Sequence, residues 1–207
     1  MKKKIIITGG LGYIGTELCK IYSGYSWHHD ILVFDNRFIS ERVNQLRKWN
    51  IGFVHGDILD EDLIKKHFKD ADIVHHLAGI TDVPRTKTES TKERDGKIKL
   101  VAEKGTQNIL DNISNDCKII FPSTHVIFEG IDKVKTDIKE DDDDKPVLSY
   151  AVSKSLNEKQ IKKSGKKYII LRLGSVYGYS SDTMRIDIMP NLFSKISSQN
   201  GTLKLFA

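Results

Sequence analysis

At 207 residues, the chain is long enough for one large domain, or for one domain and part of a second, and needs no disulfide or metal staple to hold a core. It is 39% hydrophobic and 29% charged, and no apolar run approaches the ~20 residues of a membrane span, so no membrane partner is expected. The net charge of +5 comes from lysines scattered among Asp and Glu, as at Lys65-Lys66 and Lys162-Lys163; with no arginine–aromatic stripe, no nucleic-acid partner is expected either.

In chain order, short apolar runs rich in Ile and Val fall at Lys4–Thr8, 31–34, Gly52–His55, 72–77, 117–121 and 168–171. Each is apolar on consecutive positions, as expected for strands buried on both faces. Residues 12–23 read as a helix opening on a glycine cluster. Residues 98–113 read as a second, with Ile98, Val101, Ala102, Gly105, Ile109 and Ile113 on one stripe. Residues 129–145, with the acidic run Glu140-Asp141-Asp142-Asp143-Asp144, read as a solvated loop rather than a metal site, because ion sites space their ligands on alternate residues. The alternation predicts an α/β, doubly wound Rossmann fold with a mainly parallel sheet and helices on both faces. Cys19 and Cys117 lack metal or redox spacing, and no signal-peptide core follows Met1-Lys2-Lys3-Lys4, so a reducing, cytoplasmic setting is expected.

The first strand runs into Gly9-Gly10-Leu11-Gly12-Tyr13-Ile14-Gly15, which satisfies a dinucleotide-binding glycine pattern. One glycine makes the tight turn, another admits a pyrophosphate to the backbone N–H groups, and the third packs helix on strand. Asp35 follows about 20 residues later at the end of the second strand, placed to accept ribose hydroxyls and repel a 2′-phosphate, which points to NAD. Arg37 works against that preference, since an arginine there could receive a phosphate. Asn36, Asp57 and Ile58, then Leu77, Ala78 and Gly79, lie at the next strand ends and complete the expected cofactor contacts. Tyr150 and Lys154 stand four apart on a helix, so the ammonium would favour the tyrosinate as a general base. Ser123-Thr124 offers a hydroxyl partner at the same edge.

Taken together, these residues resemble the extended short-chain dehydrogenase/reductases, in the NAD-dependent epimerase/dehydratase branch that acts on nucleotide sugars. The likeness spans Ile5 to Gly178 and includes Phe34-Asp35-Asn36, Gly56-Asp57-Ile58, His76-Leu77-Ala78-Gly79, Gly105-Thr106, Tyr150-Ala151-Val152-Ser153-Lys154 and Val176-Tyr177-Gly178. It implies that Tyr150 takes a proton from a sugar hydroxyl, that Lys154 holds the nicotinamide ribose, and that Thr124 bonds the reacting oxygen; shifting the alignment by one residue would choose Ser123. It further implies 4-epimerisation of a UDP-sugar, with a keto-sugar reductase or a non-catalytic NAD-binding regulatory module as alternatives. A homodimer built on the helices at 98–113 and 150–165 is also implied. No metal site is expected.

Departures accompany the likeness. His125-Val126 stand where the 4,6-dehydratases carry Asp-Glu, which argues against dehydration. Ala102 and Ser175 replace asparagines common in the family. Family members usually run longer, so residues 1–178 read as the NAD-binding domain and 179–207 as the start of a substrate-binding subdomain that is largely absent. The final residues fall where a strand leading into that lid would begin.

Overall fold

A computed structural model describes residues 2–81, 91–180 and 184–204. Six strands form one all-parallel sheet: β1 (Lys4–Thr8), β2 (Asp30–Asp35), β3 (Gly52–His55), β4 (Ile73–His76), β5 (Lys118–Thr124) and β6 (Lys167–Leu173), in the order β3-β2-β1-β4-β5-β6. The chain steps outward from β1 to β3, then returns to the other side of β1 with β4. That reversal opens a crevice beyond the carboxyl ends of β1 and β4.

The helices are α1 (Tyr13–Ser23), α2 (Ser40–Lys48), α3 (Glu61–Phe68), α4 (Lys92–Asn112), α5 (Ser149–Lys163) and α6 (Met189–Ser198). They explain why the three central positions of β1, Ile5, Ile6 and Ile7, are all apolar, since side chains alternate across a strand. Ile5 and Ile7 pack with Leu11, Cys19, Val33, Val43 and Leu46 under α1 and α2. Ile6 faces the opposite core, with Phe34, Phe68, Val74, Ile109, Ile119, Phe121 and Ile161 under α3, α4 and α5. Each fully buried aliphatic or aromatic side chain contributes about 1.5–3 kcal/mol.

Burial on both faces does not extend to the sheet margins. β6 is the last strand in the order, and Tyr168, Ile169 and Leu171 are 42–44% exposed. β3, at the other margin, has no fully buried residue. α4 begins at Lys92, six residues before the apolar stripe, and is capped by Thr91, whose hydroxyl accepts the Arg94 N–H. Among the described residues, no helix is long and apolar enough to cross a membrane. Residues 205–207, part of the expected terminal strand, lie outside the described residues.

Candidate active site

The glycine turn is fixed by close approach. Gly9 has φ +67°, a conformation glycine adopts without steric cost, and a Cβ there would stand 2.8 Å from the Ala78 nitrogen. A Cβ on Gly15 would stand 2.5 Å from the Gly9 oxygen and 2.6 Å from the Gly10 Cα, so only glycine lets α1 sit this close to the turn. Gly12 is the N-cap of α1 and supplies no side-chain cap, and no acidic residue stands in the first turn. The amides of Tyr13, Ile14 and Gly15 thus head the helix with its positive dipole end open, which fits a pyrophosphate. The Tyr13 side chain does a different job: its hydroxyl donates to the Gly178 oxygen (2.6 Å) and accepts from Asn191 Nδ2 (3.4 Å), tying α1 to the segment before α6.

At the end of β2, Asp35 is 4% exposed. Its Oδ2 accepts the Leu11 N–H (2.9 Å) and its Oδ1 the Arg37 N–H (3.0 Å). Asn36 donates to Asp57 Oδ2 (2.9 Å), and Asp57 Oδ1 accepts the Leu59 N–H, so these two rims of the crevice brace each other. The Ile58 side chain is buried against Gly105, where a Cβ would stand 2.4 Å from Ile58 Cδ1. Its side chain therefore belongs to the core.

At the end of β4, the Ala78 N–H donates to Thr8 Oγ1 (3.0 Å). This bond starts a buried chain that continues through His76 Nδ1 (3.1 Å), His76 Nε2 to Thr106 Oγ1 (2.9 Å), and Thr106 to Asn157 Nδ2 (2.9 Å) on α5. One proton arrangement satisfies every member: Asn157 donates to Thr106, Thr106 to His76 Nε2, His76 Nδ1–H to Thr8, and Thr8 to the His75 oxygen (3.5 Å). Asn157 also donates to the oxygen of Ala102 (2.9 Å). Burial, together with the nearby Lys154 charge, pulls the His76 pKa down to about 3. The network links the turn to the helix carrying Tyr150 and Lys154. Sequence reading took His76 only as part of a motif and missed it as a junction, because the chain of bonds it joins runs over β1, α4 and α5.

Ser123 and Thr124 end β5, and both are buried. Thr124 Oγ1 accepts the Val126 N–H at 3.3 Å and caps the 3-10 turn His125–Phe128. Tyr150 lies in the first turn of α5, and Glu129 Oε1 holds the entry to that helix by accepting the N–H groups of Val147 (2.9 Å) and Leu148 (2.7 Å). Lys154 Nζ is 5.8 Å from the Tyr150 ring centroid and 4.4 Å from that of Phe121, and it donates to the Pro122 oxygen at 2.7 Å. Burial lowers its pKa to about 8, against the opposing pull of Glu158. Burial raises the Tyr150 phenol, and the Arg185 charge partly offsets that. Arg185, which no motif marked, thus reaches the site electrostatically. Glu158, one turn further along α5, is 3% exposed and receives Arg172 on both oxygens (3.1 and 2.8 Å), locking the helix to β6.

A cavity of about 640 Å³ behind the turn is lined by Gly10, Leu11, Thr16, Arg42 and Trp49 among others. Thr124, Tyr150 and Lys154 do not line it; they stand at the end of β5 and in the first two turns of α5.

The model of the NAD dependent epimerase/dehydratase family matches residues 5–206. The chain belongs to this family. A UDP-glucose 4-epimerase of Neisseria gonorrhoeae is 30% identical over 76% of this chain and 47% of its own. A dTDP-D-glucose 4,6-dehydratase of Dictyostelium discoideum is 29% identical over 85% of this chain and 44% of its own. The chain therefore spans a little under half the length of these relatives. The crystal structure of a UDP-glucuronic acid 4-epimerase from Bacillus cereus, in complex with UDP-glucuronic acid and NAD, superposes with a TM-score of 0.77 at 24% identity, over 99% of this chain and 66% of that one. The open N-terminus of α1 and the close-packed glycines fit the NAD on which this family depends.

Proposed function

We propose that the chain carries the cofactor site and reacting residues of an NAD-dependent nucleotide-sugar epimerase, acting by 4-epimerisation of a UDP-sugar. The observation that carries this reading is the convergence of Gly9–Gly15, Thr124, Tyr150 and Lys154 on one carboxyl edge of the sheet, beside the β1/β4 switch point. Residues 13–15 would hold the pyrophosphate, Asp35 the adenosine ribose, and Leu77, Ala78 and Gly79 would run beside the cofactor. NAD, when bound, supplies a reversible hydride acceptor.

The rest falls to the side chains. Tyr150 takes the proton from the sugar hydroxyl, and Thr124 bonds the same oxygen, aligning it and stabilising charge as it builds. Thr124 is preferred to Ser123 because it is the last residue of β5, at the carboxyl edge itself. Lys154 is cationic below its pKa of about 8 and must leave the Pro122 oxygen to serve Tyr150 and the nicotinamide ribose. His125 and Val126 supply no acid/base pair for eliminating water, which favours epimerisation over dehydration. Residues 179–207 would begin the part that closes over the sugar.

Tyr150→Phe should abolish UDP-sugar turnover while NAD binding is retained; unchanged turnover would remove Tyr150 from its role. A second reading, a non-catalytic NAD-binding module, gains from Lys154 resting on Pro122 rather than on Tyr150. Calorimetry separates the two: a UDP-sugar binding the NAD-saturated chain supports the enzyme, and NAD binding without it supports the module.

A further inference from the structure

A carboxylate offers about four acceptor positions on its two oxygens. In Asp35 all four are taken. Oδ2 receives the Leu11 N–H at 2.9 Å and Arg37 Nη2 at 3.5 Å; Oδ1 receives the Arg37 N–H at 3.0 Å and Arg37 Nε at 3.3 Å. Only 3% of the Asp35 side chain is exposed, against 52% of Arg37. The guanidinium also overhangs the glycine turn, with Nη2 3.5 Å from where a Cβ on Gly12 would stand. A ribose hydroxyl can therefore reach Asp35 only after the Arg37 side chain moves. The guanidinium is half in water, and when it moves the Asp35 carboxylate keeps the backbone N–H groups of Leu11 and Arg37. The Arg37 backbone meanwhile stays bonded to Asp35, so the displaced guanidinium remains beside the ribose. Arg42 adds a second cation next to the turn, donating to the Leu11 oxygen.

We propose that Arg37 is a specificity-determining residue that lets this site hold a 2′-phosphorylated adenosine dinucleotide, NADP, as well as NAD. Asp35 alone would repel a 2′-phosphate, but here the ion pair presents no net charge to it. With NAD, Arg37 swings off and Asp35 accepts the ribose hydroxyls. With NADP, Arg37 turns its planar fork onto the phosphate oxygens, a geometry to which guanidinium is suited.

The test is calorimetric titration of the whole chain, stripped of retained nucleotide, with ADP-ribose and 2′-phospho-ADP-ribose. The wild-type chain is compared with Arg37→Ala, and circular dichroism confirms that the half-exposed substitution leaves the fold intact. The expected result is binding of both ligands by the wild type, and a loss of about tenfold or more in Arg37→Ala for the phosphorylated ligand alone, the size of one charge-assisted contact. Equal effects on the two ligands, or wild-type binding of ADP-ribose only, overturn the proposal. Binding of neither overturns the nucleotide site itself, and the proposal with it.

Discussion

Two adjacent histidines on β4 point to opposite faces of the sheet, and both are buried: His75 is 7% exposed and His76 2%. The His75 ring packs edge-on against Tyr22, with Nε2 2.8 Å from the phenol oxygen, and burial lowers its pKa to about 4. His76 falls to about 3 through burial and the Lys154 charge. In the unfolded chain both titrate near about 6.5. Above that pH neither state is protonated and their contribution is complete. Below it the unfolded chain takes up two protons that the native chain refuses, until the pH approaches about 4 for His75 and about 3 for His76. Each group tilts stability by about 1.4 kcal/mol per pH unit, so the pair removes about 4 kcal/mol between pH 8 and pH 5. That is a large part of the 5–15 kcal/mol typical of a domain. Urea unfolding followed by tryptophan fluorescence at half-unit pH steps measures the slope, with Trp49 packed against the core as reporter. His75→Gln, which keeps a neutral polar group opposite Tyr22, should remove about half of it. A wild-type stability that stays flat from pH 6.5 to pH 5, or a slope unchanged in His75→Gln, would refute the burial argument.

Gly15→Ala drives a methyl group into backbone atoms of Gly9 and Gly10 that cannot step aside, so NAD affinity should collapse and stability fall by about 1–3 kcal/mol, read by calorimetry and thermal melting. Glu158→Ala strips the buried partner from Arg172 and should cost about 3 kcal/mol in urea unfolding, the lower end for such pairs because Arg172 retains the Glu140 oxygen at 3.1 Å. Lys154→Met should be inactive yet more stable by about 2 kcal/mol at pH 7, because burial disfavours the ammonium. In the wild type that cost disappears as pH rises from about 8 toward 10.5, so stability should climb across this window and stay level in Lys154→Met.

The sheet was legible because its strands are short and uniformly apolar. β1 and β3 match their apolar runs residue for residue, and the crossover helices follow from parallel pairing. β5 runs three residues past its apolar run. Pro122 carries no N–H, yet it sits opposite Leu171 in the pairing with β6, which extends to Thr124 and so places the hydroxyl at the sheet edge. The exposure of β6 was not legible, since hydrophobicity cannot tell a central strand from a marginal one. Within the site, the glycines and Asp35 announce themselves by spacing, whereas Arg185 and the links from His76 to Thr106 and Asn157 join residues dozens of positions apart. The resting position of Lys154 was also hidden. Helical spacing places it on the same face as Tyr150, but the acceptor that holds it belongs to β5.

The exposed margin at β6 has a practical side. Tyr168, Ile169 and Leu171 present apolar surface on both faces of a strand that ends the sheet's hydrogen-bonding ladder. Its outer edge, unpaired among the described residues, is a template on which any extended segment can add, including the same strand of another molecule. Lys167, paired with Asp116 at its start, is the one charge among the first five residues of that strand. The chain on its own is therefore best kept dilute and cold, and titrations should place the nucleotide in the syringe and the protein in the cell.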